Sequence, residues 1–98
     1  MNVHEAMSKH ANKQHQHLVR FTALDERREQ AIAEAVALCE QGLPFSVNQI
    51  NQLTSMIREH AKQGISPLRQ LVNEEMIRDY VRKKLSNHYQ ASNKHMGD

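Results

Sequence analysis

Apolar residues recur along the first 41 positions at intervals of three, four or their sums, which is the spacing of one face of an α-helix. Gly42 follows this pattern, and glycine most readily adopts the left-handed conformation that ends a helix. We therefore predict a long first helix over residues 3–41. Thr22 and Asp25 form a cap-like pair, so a break near them is the alternative. The periodic residues are Val3, Met7, Ala11, Leu18, Phe21, Leu24, Ile32, Ala35 and Cys39.

Residues 45–50 contain the signals that are typical of the start of a second helix. Ser46 precedes Gln49 by three residues, as in a capping box, and Phe45 and Ile50 fit the two positions of a hydrophobic staple. Apolar residues then recur at helical intervals as far as the next glycine. The pattern predicts a helix over about residues 47–63.

The third helix is predicted to begin almost at once. Ser66 is a suitable cap, and Pro67 is tolerated at the first helical position because that position needs no N–H donor. We predict a helix over residues 67–87, followed by a frayed tail over residues 88–98. The residues expected on its buried face are Leu68, Leu71, Val72, Met76, Tyr80 and Leu85.

These elements indicate an all-α protein, a three-helix antiparallel bundle that forms a single domain. The chain has 98 residues, which suffice for one core, and its 3 Gly and 2 Pro are too few for a fold of many short strands. At about 1.5 Å per residue the first helix is nearly 60 Å long, against about 26 and 33 Å for the others. About half of the first helix is therefore left uncovered.

The uncovered part of the first helix predicts an interaction surface. Its apolar residues Met7, Leu18 and Phe21 are enough to form a seam with a second chain, and we place the candidate surface there. A stagger in which the third helix covers this part is the alternative. The favoured function is a small protein–protein interaction module that self-associates as a homodimer, with any other protein partner unknown.

Charge gives a second hypothesis. Thirteen Lys and Arg stand against eleven Asp and Glu, for a net charge of +2, with +2 on residues 1–24 and −3 on residues 25–41. This excess is weak for a nucleic-acid-binding protein, which normally carries a strong basic stripe. The alternative function is nevertheless nucleic-acid association through the basic face of the third helix, formed by Arg69, Arg78, Arg82, Lys83 and Lys84.

The sequence also bears on compartment. One cysteine cannot form an intrachain disulfide, and the first residues lack the basic-then-apolar order of a signal peptide. No apolar run approaches the roughly 20 residues that span a bilayer. A cytoplasmic protein without a membrane segment is the expectation.

Histidine is abundant, but its spacing does not favour a metal site. Two ligands on one helix bind one ion when they are three or four residues apart, and the four histidines of the first helix are separated by 6, 5 and 2 residues. Cys39 is expected to be a buried, inert thiol, and no nucleophile motif or phosphate-binding glycine loop occurs. We predict no enzymatic activity, no cofactor and no metal. The four histidines are His4, His10, His15 and His17.

Three stretches carry a family resemblance: Asn2-Val3-His4-Glu5-Ala6, Lys13-Gln14-His15-Gln16-His17, and EAVALCEQGLPF over residues 34–45. They resemble the YpbS-like proteins, a small uncharacterised family of spore-forming Gram-positive bacteria, and the similarity covers most of residues 2–85. The resemblance implies a bacterial cytoplasmic protein of unknown function. It assigns no catalytic or binding residue.

Overall fold

The computed structural model describes the backbone of residues 3–97 and the side chains of residues 12–86. Three helices follow one another along the chain: α1 (Val3–Glu40), α2 (Asn48–Ala61) and α3 (Glu74–Gly97). Residues 3–97 contain no strand. The predicted all-α fold with a long first helix is confirmed.

Helix α1 is continuous through residues 22–25, where a break was the alternative. The Thr22 hydroxyl donates to the Leu18 carbonyl at 2.9 Å, a bond within one turn that leaves the helix intact. At the other end Gly42 adopts φ +73°. The Leu43 N–H then donates to the Leu38 carbonyl at 2.9 Å, as in a Schellman motif, so glycine ends α1 as predicted.

Helix α2 begins one residue later than predicted and lacks the expected capping box. Val47 occupies the N-cap, and its side chain has no oxygen to offer the first turn. The Ser46 hydroxyl instead accepts from the N–H of Asn48 at 3.1 Å. Phe45 and Ile50, the predicted staple, both belong to the core, Ile50 buried and Phe45 packed against its edge.

The chain between α2 and α3 is not helical. Residues 62–73, which we call the strap, form a turn and then a segment without regular secondary structure. The third helix therefore begins at Glu74, and the predicted start at Pro67 is wrong. The cap is Asn73, whose side-chain oxygen accepts from the Met76 N–H at 2.8 Å.

Along the strap every third residue is partly covered, and this pattern differs from part of the predicted core. Ser66, Arg69 and Val72 are partly covered, whereas Leu68 and Leu71, which we expected to be buried, are exposed. Among the side chains of α3 that the structure describes, the buried ones are Ile77 and Val81, one turn apart. The predicted stripe was read from a helix starting seven residues too early, so it selected the wrong face, and the structure exposes Met76, Tyr80 and Leu85.

Helix α3 also continues to Gly97, beyond the predicted end at residue 87. No glycine or proline interrupts the chain from Glu74 to Met96, so nothing in the backbone stops the helix earlier.

Helix α1 is the centre of the bundle. Helix α2 runs antiparallel to it, with His60 beside His17, and the strap carries the chain back so that α3 runs parallel to it, with Lys84 beside Glu40. The radius of gyration is 19.5 Å and the longest dimension 66 Å, against a radius of about 13 Å for a compact chain of this length. The buried core cluster is formed by Ala31, Ala35, Val36, Ile50, Leu53, Ile77 and Val81.

Candidate functional site

Polar side chains of α1 and α2 hold the strap in place. Asn51 makes two bonds to Val72, accepting from its N–H at 2.7 Å and donating to its carbonyl at 2.8 Å. The side-chain amide of Asn51 thus pairs with both the N–H and the carbonyl of Val72. This contact fixes the end of the strap before α3 begins. Two further strap carbonyls accept hydrogen bonds, from Gln14 to Ile65 at 2.9 Å and from Arg28 to Gln70 at 3.0 Å.

Two stacked histidines hold the other end of the strap. The rings of His17 and His60 lie 3.9 Å apart between centroids and 15° from parallel. His60 Nε2 donates to the His17 carbonyl at 2.8 Å, and His17 Nε2 lies 3.2 Å from the Ser66 hydroxyl. A Cβ on Gly64 would lie 2.9 Å from the His17 ring. The absence of a side chain at Gly64 is therefore what lets the strap pass over this ring.

The environment of His17 favours its neutral form. Burial lowers the pKa of His17 below its usual 6.5, and the neighbouring charge of His60 lowers it further. Arg20 and Glu59 line the groove beside His60, one from each helix. The stack therefore suits a pair in which His17 carries no charge at neutral pH.

Arg69 connects the middle of the strap to α1. Its guanidinium makes two hydrogen bonds to the Asp25 carboxylate, at 2.9 and 3.2 Å, and lies 5.2 Å from the centre of the Phe21 ring. The bond to Asp25 raises the pKa of Arg69, so the strap is held by a permanent cation. Phe21 is buried beneath this contact. It is thus part of the fold of one chain, and its predicted place on an exposed seam is wrong.

The basic face predicted for nucleic acid is largely neutralised within the chain. Four of its five cations contact carboxylates. Within the side chains that the structure describes, Lys83 makes no ion pair. The ion pairs are Arg69 with Asp25, Arg78 with Glu74 and Glu75, Arg82 with Glu75 and Asp79, and Lys84 with Glu40.

One exposed face of α1 combines apolar and charged residues. Leu18 and Val19 are 41% and 55% exposed, and they line a shallow groove of about 450 Å³. Met7, the third residue of the predicted surface, lies outside the residues whose side chains are described. We call this face the α1 ridge, formed by His15, Leu18, Val19, Thr22, Ala23 and Glu26.

Other chemistry is limited. Among the described residues no three His, Cys, Asp or Glu side chains are grouped as metal ligands. The side chains of His4 and His10 lie outside that part of the chain. Cys39 is half-buried against the core, rather than fully buried as predicted. Over the same described residues, each helix is too short or too polar to cross a bilayer.

The residues that hold the strap were not found by sequence reasoning. Gly64 was expected to end the second helix, and His17 was considered as a possible metal ligand. One signal was present, because His17 precedes Phe21 by four residues and Leu24 by seven, which places it on the apolar stripe. Nothing in the sequence pattern paired Asn51 with Val72, since 21 residues separate them.

Comparison with known proteins places this arrangement in a family. Residues 1–83 match the family described as "Protein of unknown function (DUF2533)". The chain belongs to the DUF2533 family. It is similar to the uncharacterised protein YpbS of Bacillus subtilis (strain 168), with 47% identity over 79 residues that cover 81% of this chain and 93% of that protein. The family resemblance stated from the sequence is confirmed. No solved structure matches the chain.

The match to the DUF2533 family begins at residue 1 and ends at residue 83, within α3. It therefore includes all of α1, α2 and the strap, together with the α1 ridge. Every hydrogen bond described above between the strap and the two helices falls inside the matched residues.

Proposed function

We propose that this DUF2533 protein is a small helical interaction module that self-associates through the α1 ridge. The observation that supports it is the exposed apolar pair Leu18 and Val19, which line one groove on the surface of α1. Exposed apolar side chains rimmed by polar ones are typical of protein interaction sites. We expect the module to act in the cytoplasm and without enzymatic chemistry.

The length of α1 supports the same proposal. His17 is the α1 residue that stacks on the end of α2, and Gln14 hydrogen-bonds to the strap. Helix α1 begins at Val3, which is 11 residues before Gln14 and therefore about 16 Å from it at 1.5 Å per residue. A helix gains most of its stability from packing, and a second chain along α1 would supply that packing.

The test is the mass of the protein across a concentration series. Sedimentation equilibrium should give twice the chain mass of 11.3 kDa at high concentration. Val19→Glu should raise the dissociation constant about tenfold or more, because it places a charge within an apolar contact. Phe21→Asp is unsuitable, since Phe21 is buried under Arg69 and its loss would disturb the strap.

Leu68→Glu is the matched control. Leu68 is an exposed leucine on the strap, and its replacement should leave the dissociation constant unchanged. A mass of one chain at every concentration up to about 100 μM would refute self-association. A dimer that is weakened equally by Val19→Glu and Leu68→Glu would refute the surface.

A further inference from the structure

We infer that two copies of this chain pair antiparallel along α1, with the two-fold axis between residues 20 and 21. This inference rests on the proposed self-association and adds the register and direction of the contact. Four exposed residues define the seam: His15, Val19, Thr22 and Glu26.

The spacing of these residues suits a symmetric pair. They follow one another at intervals of four, three and four, which keeps them on one face of a helix. The same order of intervals is read from either end, so an antiparallel copy presents a matching set. In this register Val19 lies opposite Thr22 of the second copy, and His15 lies opposite Glu26.

The position of the axis suits the length of the helix. Helix α1 runs from Val3 to Glu40, so its centre lies between Phe21 and Thr22, one residue from the proposed axis. Two copies therefore overlap around the centre of α1, and towards Glu40 the second copy meets the groove that Tyr80 and Lys84 of α3 border. The segment of each copy that extends beyond its own strap lies beside the half of the other copy that carries α3.

Charge decides the direction. Residues 1–20 contain three Lys or Arg and one Glu, whereas residues 21–40 contain two Arg and five Asp or Glu. An antiparallel pair places each net positive half beside the net negative half of the other copy. A parallel pair places like charges together and sets Glu26 against Glu26, which is unfavourable.

The seam is also suited to close approach. Thr22 in the seam and Ala23 next to it in sequence are small, and the larger Leu18 is not one of the four seam residues. Arg69 and the rest of the strap engage the Asp25 and Phe21 side of α1. The face that the second copy would use is therefore the one that the chain's own strap leaves free.

Disulfide trapping tests direction and register. In a Cys39→Ser background, His15→Cys and Glu26→Cys are purified separately, then oxidised alone and as an equal mixture. Intact mass distinguishes the two homodimers from the mixed dimer. The antiparallel register predicts a covalent dimer of the mixed kind in large excess, because identical positions are 11 residues, or about 16 Å, apart along the helix.

The controls separate this inference from the proposed function. Ser55→Cys, on the exposed side of α2, should form no mixed dimer with Glu26→Cys. Efficient homodimers of His15→Cys alone would overturn the antiparallel direction, and the absence of every disulfide from a protein of doubled mass would overturn the register. Either result is compatible with self-association. A single-chain mass for the unmodified protein refutes both self-association and the antiparallel pairing.

Discussion

At the scale of single residues, the fold depends on a few polar side chains placed where the strap meets the helices. Thr54 is fully buried, yet its hydroxyl accepts from Arg28 at 2.8 Å and donates to the Ile50 carbonyl at 2.8 Å. No buried side-chain nitrogen or oxygen of the described residues lacks a hydrogen-bond partner. Because an unsatisfied buried group costs about 1–3 kcal/mol, this pairing allows a thin core to include polar residues.

The histidine stack predicts a dependence of stability on pH. The pKa of His17 is lowered in the folded chain, so the unfolded chain takes up its proton first as the pH falls below 6.5. The contribution of His17 to the free energy of unfolding is therefore complete above pH 6.5 and is lost as the pH falls through the lowered pKa. Urea denaturation at about pH 7.5 and about pH 5.5 measures the difference.

His17→Gln should reduce this difference, since glutamine does not titrate in that range. Gln16→Ala is the control, because Gln16 is exposed on α1 beside His17, lies outside the proposed seam and should leave the difference unchanged. If His17→Gln leaves the fall in stability between the two pH values as large as in the unmodified chain, the stack is not its source.

At the scale of elements, the helices were predictable because their signals are local. The apolar period of α1 and the glycine that ends it lie within the helix or next to it, and both predictions are confirmed. The strap was not predictable, because its partners are distant. Arg69 meets Asp25 across 44 residues and Val72 meets Asn51 across 21, and these contacts outweigh the local helix signals of Ser66 and Pro67.

The strap gives a prediction for Asn51. Asn51→Ala removes both hydrogen bonds to Val72. The N–H and carbonyl of Val72, which is half-buried, then lack the side-chain amide as a partner. The free energy of unfolding should fall by about 1–3 kcal/mol. Urea denaturation measures this change.

The neighbouring Gln52 is the matched control for Asn51. Gln52 is exposed on the same helix, so Gln52→Ala should change the free energy of unfolding by less than about 0.5 kcal/mol. Equal effects of the two substitutions would show that the amide contact does not hold the strap.

At the scale of the whole molecule, the length of the first helix was the property that the sequence predicted best. The first helix exceeds the other two, and the molecule is elongated as that difference requires. The candidate surface was only partly predictable. Leu18 is exposed as expected, but the apolar stripe that suggested Phe21 is the face that the chain uses for its own core. Periodicity identifies a helix face without saying which chain covers it.

The ion pairs of the predicted basic face predict that the protein does not retain nucleic acid. Four of the five cations of the predicted basic face already contact carboxylates, so few counterions would be released on binding. An electrophoretic mobility shift assay at about 50 mM salt should show no complex with duplex DNA or RNA. A complex that Lys83→Glu abolishes would contradict this expectation and restore the alternative function.

The return of the chain through the strap has a consequence for the ends of the molecule. Because α3 runs parallel to α1, the described chain begins with Val3 at one end of α1 and passes the other end at Lys84, which pairs with Glu40. Two labels, one attached near the start of α1 and one near the end of α3, would therefore be held far from each other. In the antiparallel pair each tip would combine the beginning of one chain with the end of the other, so the assembly would present two identical ends.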